Sequence, residues 1–250
     1  MKKIITIVGV VVLLGLGGFA VTKFSRPADP DLAGKEKAIA QIKEKYSRER
    51  NPEVYILSQP KEIAMPESFA AYPLNNYLGL EFRVPETNQL DKQSEKFRSM
   101  KKLLFPNGKS LIVSYAAGTS TPRAELSTLF NKEDAEKFMP VGGDTIYSWY
   151  AFRNFVLESS PDNLSTSMTI PEIEAREVAI KWKRSDVFVA PNSKVYSFET
   201  SNGKGFLSEA AKGSRMIALF FGPYTYELAL SPGFSERDVD VILASARRVE

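Results

Sequence analysis

Two predicted strands and the turn between them make up MIALFFGPYTYELAL, residues 216–230. The first six residues are all apolar, which is typical of a central strand covered on both faces. Gly222 and Pro223 end that strand, because proline lacks a backbone donor and glycine adopts turn conformations easily. Residues 224–230 then carry an apolar side chain at every second position, which predicts one buried face. We therefore expect an antiparallel pair at the centre of a sheet.

Other parts of the chain also predict strands. Residues 195–207 contain two apolar runs around Ser-Asn-Gly, and residues 102–115 contain two around Pro-Asn-Gly, which are both typical of hairpin turns. Residues 78–84 alternate between apolar and other side chains and end before a proline, as a half-buried strand does. Residues 54–57 have strand composition, whereas residues 61–76 show no period. Most of the predicted strands are therefore expected to pair with their neighbours in the chain as hairpins.

Helical periodicity separates these strands and follows them. Capping residues mark the helix starts, for example Thr121 before a proline and Ser235 near the C-terminus. Arg247 and Arg248 suit the negative end of the dipole of the last predicted helix. Residues 178–182 also alternate as a strand does, so a strand is the alternative there. The predicted helices are residues 35–50, 121–130, 131–138, 145–158, 171–182 and 235–249. Together these elements predict an α+β domain with an antiparallel β-sheet flanked by helices.

Two segments of the chain resemble PsbP-like domains. One is the predicted strand GLEFRVP, residues 79–85. The other is the C-terminal succession of apolar strand, turn, strand and helix, which includes ILASAR, residues 242–247. The resemblance implies an antiparallel sheet sandwiched by helices and a non-catalytic assembly role outside the cytoplasm. It assigns no functional residue.

The N-terminal segment predicts where the protein lies. Residues 4–22 carry no charge and follow two lysines, so they are long enough to cross a bilayer as one helix. A cleaved signal peptide is the alternative, since small residues stand at positions 18 and 20. Residues 1–22 are therefore predicted to be a membrane anchor or signal segment, residues 23–34 a tether, and residues 35–250 a single domain. The positive-inside rule places that domain outside the cytoplasm.

The composition excludes several classes of function. The 250 residues include no Cys and no His, which excludes a cysteine nucleophile, a Ser-His-Asp triad and a zinc site of the usual kind. Four basic residues and no acidic residue lie before position 27, so the remainder has 29 basic against 30 acidic residues. Nucleic-acid binders normally carry a basic surplus, so we expect no nucleic-acid partner. No cofactor is expected either.

Candidate catalytic groups have simpler explanations. Glu172, Glu174 and Glu177 lie near the start of a predicted helix, where the helix dipole favours acidic residues. The Ser-x-x-Lys motif occurs three times, about as often as chance predicts, and the companion motifs of penicillin-binding enzymes are missing. The chain is therefore predicted not to be an enzyme. A hydrolase that uses carboxylates or Ser and Lys remains an alternative.

One aromatic stripe is a candidate interaction surface. On the predicted helix 145–158, Tyr147, Ala151 and Phe155 recur every four residues outside the main apolar arc. Aromatic side chains often anchor protein interfaces, so this stripe is the candidate contact with another envelope protein. Burial under another part of the chain is the alternative.

The sequence therefore predicts a membrane-anchored, non-catalytic binding or assembly domain of the cell envelope. Its expected partners are the membrane, through the N-terminal helix, and an envelope protein. A structural tether between the membrane and the cell wall is a further alternative.

Overall fold

The computed structural model describes residues 30–47, 57–116, 121–183, 194–210 and 212–249. The chain divides into two units, Met1–Ala33 and Gly34–Glu250. The helices are α1 (Leu32–Ser47), α2 (Pro122–Leu129), α3 (Lys132–Phe138), α4 (Trp149–Glu158), α5 (Ile170–Lys183) and α6 (Glu236–Ser245). The strands are β1 (Leu57–Ser58), β2 (Leu74–Tyr77), β3 (Leu80–Arg83), β4 (Gln89–Leu90), β5 (Met100–Leu104), β6 (Ser110–Ala116), β7 (Lys194–Glu199), β8 (Lys204–Glu209), β9 (Arg215–Phe221), β10 (Tyr224–Leu230) and β11 (Arg247–Arg248). The predicted α+β class is confirmed.

Eight strands form the large sheet in the order β1-β7-β8-β9-β10-β6-β5-β4. The three predicted hairpins β5–β6, β7–β8 and β9–β10 are confirmed, and β9 is a central strand with β8 and β10 on either side. The pair β1 and β7 runs parallel, so the sheet is mixed rather than wholly antiparallel. Of the predicted strand 54–57, only Leu57 lies within the described residues, and it belongs to β1.

A smaller antiparallel sheet has the order β11-β3-β2. Leu78 and Gly79 both have positive φ, 61° and 78°, and they form the turn between β2 and β3. The predicted strand 78–84 therefore begins later, at Leu80. The prediction that residues 61–76 are irregular was wrong at residues 74–76, which belong to β2. This short strand pairs through its backbone and has no apolar alternation.

The two faces of the large sheet bury different side chains. Helix α6 and strand β3 cover one face and form the cluster that we call the α6 core. Helix α4 lies against the other face, where Leu157 contacts an apolar group that includes Phe206 and Phe220. At Gly205, a Cβ atom would lie 1.9 Å from the carbonyl oxygen of Ala218, so β8 requires glycine there. The α6 core includes Leu80, Phe82, Leu103, Leu111, Val113, Phe198, Leu207, Ile217, Leu219, Tyr226, Leu228, Val239, Ile242 and Leu243.

The remaining helices pack outside α4. Phe130, Phe138, Phe152 and Phe155 form an aromatic cluster with side chains of α5. Helix α1 packs on α5 through its predicted apolar stripe, and Lys45 of α1 pairs with Glu177 at 2.7 Å. The strand alternative for residues 178–182 was wrong, since they belong to helix α5.

Several predicted helix boundaries were wrong, and α1, for example, begins at Leu32 rather than at residue 35. The helix predicted from residue 145 begins only at Trp149, because the Ser148 side chain caps it and accepts from the Ala151 amide. The last helix ends at Ser245, since Ala246 adopts an extended conformation. Arg247 and Arg248 therefore form β11 opposite β3 instead of a helix end, and Arg247 pairs with Glu81.

The described ranges hold no helix with the length and apolar character needed to cross a bilayer. The membrane segment predicted at residues 4–22 lies outside those ranges.

Candidate binding cleft

An open cleft of about 550 Å³ lies beside α4. Its walls come from four separate parts of the chain, namely residues 140–145, helix α4, the start of α5 and the first residue of β8. Clefts of this size accommodate small ligands or a few side chains of a partner.

Helix α4 is held in place at both ends and along one side. Ser148 caps its start, and the ring of Tyr150 stacks on Phe206 of the sheet with 5.1 Å between ring centroids. At the other end, the Ser159 amide donates to the carbonyl oxygens of Phe155 and Val156. The cleft-facing side chains of α4 therefore stand on a fixed helix.

One wall of the cleft centres on Arg176. Its guanidinium lies 4.7 Å from the centroid of the Phe155 ring, which is a cation–π arrangement. Its Nε is 3.5 Å from Glu172 Oε1, and its Nη1 is 3.5 Å from Ser159 Oγ. Both distances exceed the roughly 2.7–2.9 Å of a good charge-assisted hydrogen bond. Arg176 thus places a weakly paired positive charge in the wall.

Tyr150 and Lys204 form another part of the cleft wall. Lys204 Nζ lies 4.2 Å from the centroid of the Tyr150 ring. Burial raises the pKa of the Tyr150 hydroxyl above its ordinary value, and the carboxylates of Glu199 and Glu158 raise it further. Tyr150 is therefore a neutral hydrogen-bonding group at neutral pH.

The three residues of the predicted stripe, Tyr147, Ala151 and Phe155, do not share one environment in the structure. Tyr147 precedes α4 and is 55% exposed, and the Arg123 guanidinium lies 5.7 Å from its ring. Phe155 is buried at 8% exposure in the aromatic cluster, so the prediction of one exposed stripe was wrong. The physical reason is that α3 and α5 pack on the side of α4 predicted to face solvent. Ala151 and Phe155 nonetheless both line the cleft.

Two exposed apolar residues flank one wall segment in the chain. Met139 and Tyr147 stand on either side of the segment that contributes Pro140 to Thr145, and they are 43% and 55% exposed. Neither residue is among those that line the cleft.

Two cations are buried around α4, namely Arg153 of α4 itself and Lys183 of α5. Lys183 Nζ donates to the carbonyl oxygens of Leu157 and Ser159, at the end of the helix. Burial lowers its pKa from 10.5 to about 8. Arg153 pairs with Glu227 of the sheet at 2.7 Å. These contacts attach α4 to α5 and to the sheet.

The other candidate groups are engaged in structural contacts. Glu172 pairs with Arg176 and Glu177 with Lys45, while Glu174 is exposed. Of the motif lysines, Lys61 lies near Glu236 and Asp240, Lys102 lies near Asp91, and Lys204 faces Tyr150. The described part of the chain contains no group of three acidic residues arranged to hold a metal ion.

Arg176 and the cleft itself were not found from the sequence. Glu172 and Arg176 are four residues apart on a predicted helix, a spacing that indicates an ion pair. That signal predicts no cleft, because the other walls come from distant parts of the chain. No family model matches the chain, and no curated protein is significantly similar to it.

Proposed function

We propose that the protein is a non-catalytic binding domain of the cell envelope, and that the cleft beside α4 is where a protein partner docks. Residues 4–22 would hold it in the membrane with the domain outside the cytoplasm. Protease added to intact cells should then digest the domain, and full protection would contradict this placement. The assembly role implied by the resemblance to PsbP-like domains is of the same kind.

The cleft is the observation that supports this proposal. The cleft is open to solvent and combines aromatic side chains with charged groups of both signs. Partner segments commonly dock where an aromatic surface is surrounded by polar groups.

Photo-crosslinking in cells tests the docking site. A benzoylphenylalanine at Asn154, which lines the cleft, should crosslink the full chain to a discrete protein. The matched control places the same group at Lys132 on α3, whose side chain is 91% exposed and which is not among the cleft residues.

A second change makes the result specific for the cleft. Ala151→Trp should fill the cleft and abolish the crosslink from Asn154. Crosslinks that form equally from Lys132, or that survive Ala151→Trp in a folded protein, would contradict the proposed docking site.

A further inference from the structure

We propose that the loop between β4 and β5, residues 91–99, contacts the surface of an anionic phospholipid bilayer through Phe97 and its neighbours Lys96 and Arg98. We call this segment the basic loop. The inference rests on the membrane placement proposed above, and it adds a second contact surface, since no residue of the basic loop lines the cleft.

The basic loop is held in one conformation by two side chains. Lys101 Nζ of β5 donates to the carbonyl oxygens of Glu95 and Phe97, both at 2.8 Å. The hydroxyl of Ser94, which is 3% exposed, donates to the Asp91 carbonyl at 2.8 Å and accepts from an amide of β5 at 2.9 Å. The outer side chains of the loop therefore project from a fixed backbone, so that little conformational entropy is lost when they bind.

Phe97 is an exposed aromatic side chain between two exposed cations. Its ring is 53% exposed, and Lys96 and Arg98 on either side are exposed as well. Neither cation forms an ion pair with a carboxylate of the described residues. Segments that bind at a bilayer surface combine these groups, because the aromatic ring enters the boundary between headgroups and acyl chains while the cations attract anionic lipids.

The charge of the segment favours an anionic surface over a neutral one. Residues 91–102 contain five basic and two acidic residues, a surplus of three, whereas residues 27–250 contain 29 basic and 30 acidic residues. Asp91 lies 3.8 Å from Lys102, and Glu95 is the other acidic residue of the segment. The basic surplus is thus local, as expected of a surface that meets a negatively charged one.

Further aromatic and basic side chains lie at the same end of the large sheet. The Tyr115 amide donates to the Ser99 carbonyl at 2.9 Å, and the Tyr115 ring stacks on Tyr224 with 6.4 Å between centroids. The Arg248 guanidinium lies 3.5 Å from the centroid of the Tyr224 ring. Tyrosine is enriched at membrane interfaces, and arginine places its charge there while its stem packs on apolar groups.

The proposed anchor favours a bilayer over an acidic protein as the occupant. Residues 23–31 separate the proposed membrane segment from α1, and nine residues span at most about 30 Å when fully extended. A bilayer that holds the anchor is therefore always near the domain, whereas an acidic protein must first be recruited. At such a high effective concentration, a weak contact is sufficient.

Quenching of a fluorescent label by spin-labelled lipid tests the contact in the full chain. The protein has no Cys, so Ser99→Cys provides one site for a bimane label in the basic loop. The matched site is Lys212→Cys, in the turn between β8 and β9 at the opposite end of the sheet. The vesicles contain three parts phosphatidylcholine to one part phosphatidylglycerol, or phosphatidylcholine alone, with the spin label near the headgroups. We expect strong quenching at position 99 in the anionic vesicles and little quenching at position 212.

Variants assign the contact to individual side chains of the basic loop. The ratio of quenched to unquenched label at position 99 should fall at least about tenfold when Lys96→Gln and Arg98→Gln are combined. It should fall at least about threefold in Phe97→Ala, which removes the inserted ring. The matched control combines Lys212→Gln with Arg237→Gln, which removes one lysine and one arginine from other exposed positions and should leave the ratio unchanged.

Several results would overturn the inference. They are equal quenching at positions 99 and 212, equal quenching in the neutral vesicles, and quenching that survives either the double charge change or Phe97→Ala. Absence of quenching at position 99 in a chain that floats with the vesicles would overturn this inference alone, and the anchor and the cleft would stand as proposed. A chain that floats with neither kind of vesicle would contradict the proposed membrane segment and this inference together.

Discussion

The two faces of the large sheet are covered by layers of different chemistry. The α6 core contains apolar side chains and one phenol, Tyr226, whose hydroxyl donates to the Leu78 carbonyl at 3.1 Å. The face under α4 also buries cations, since Arg153 and Lys183 are 7% and 5% exposed. Helix α6 buries one anion, Asp240, which is 9% exposed and lies 3.6 Å from Lys61, whereas the α4 side buries two cations.

The two sides of the sheet are expected to contribute differently to the stability of the fold and to binding. Buried apolar area stabilises a fold by about 25 cal/mol per Å², whereas a buried charge costs desolvation energy even when it is paired. Each buried charge therefore reduces what burial contributes to stability on its side of the sheet. The cleft lies on the α4 side, so the proposed docking concerns that side of the molecule.

The largest expected effect lies in the α6 core. Phe82 on β3 is fully buried there, so Phe82→Ala should lower the free energy of unfolding by about 3–5 kcal/mol. Phe97→Ala is the matched control, because Phe97 is 53% exposed and should change stability by less than about 0.5 kcal/mol. Urea unfolding followed by tryptophan fluorescence measures both. Equal losses in the two variants would show that the α6 core is not the main source of stability.

Phe155 and Tyr147 provide a comparison within the α4 side. Phe155→Ser should cost about 3 kcal/mol, because it removes a buried ring from the aromatic cluster and the surface on which Arg176 rests. Tyr147→Ser should cost less than about 1 kcal/mol, since this ring is mostly exposed. The two melting temperatures check this. A Tyr147 variant as unstable as the Phe155 variant would mean that both rings belong to the core.

Features that depend on local sequence patterns were predicted correctly on both sides of the sheet. The β9–β10 hairpin, the β5–β6 and β7–β8 turns and the Ser235 cap depend on local patterns, and all were confirmed. The turn at Leu78 was missed, because a leucine with positive φ is uncommon and its apolar side chain fits the strand alternation.

The missed features depend on contacts between distant residues. Strand β11 consists of two exposed arginines, which show no strand pattern in the sequence. They form a strand only because β3 lies alongside and pairs with them. The burial of Phe155 requires α3 and α5 to pack around α4, and the cleft requires four separate segments to meet. Ala151 and Phe155 were chosen from helical spacing, and that spacing identified the correct helix but the wrong degree of exposure.

The pH dependence of the free energy of unfolding tests whether Lys183 is a buried charge on the α4 side. Its pKa is about 8 in the folded protein and its ordinary value is 10.5, so the unfolded chain binds more protons between these values. Stability should therefore rise with pH across this window, whereas below about pH 8 the cost of the buried charge is present in full. Between pH 7.5 and 9.5, the free energy of unfolding of the unchanged protein should rise by about 2 kcal/mol relative to Lys183→Met. Urea titrations of both proteins at the two pH values measure this difference. Parallel pH profiles would show that Lys183 is not buried as a charge.

The smallest expected effect is the loss of stability when the N-terminal cap of α6 or of α4 is removed. Ser235 and Asp238 form a capping box on α6, in which the Ser235 amide donates to Asp238 at 2.7 Å and the Asp238 amide donates to Ser235 at 3.2 Å. Ser148 caps α4 with a single contact of 3.4 Å. Ser235→Ala should therefore cost about 1 kcal/mol, and Ser148→Ala about half of that. Thermal unfolding of both variants, with the exposed Ser127→Ala on α2 as control, measures the difference. A larger loss at Ser148 would mean that the start of α4, and with it the wall of the cleft, contributes more to folding than the α6 cap does.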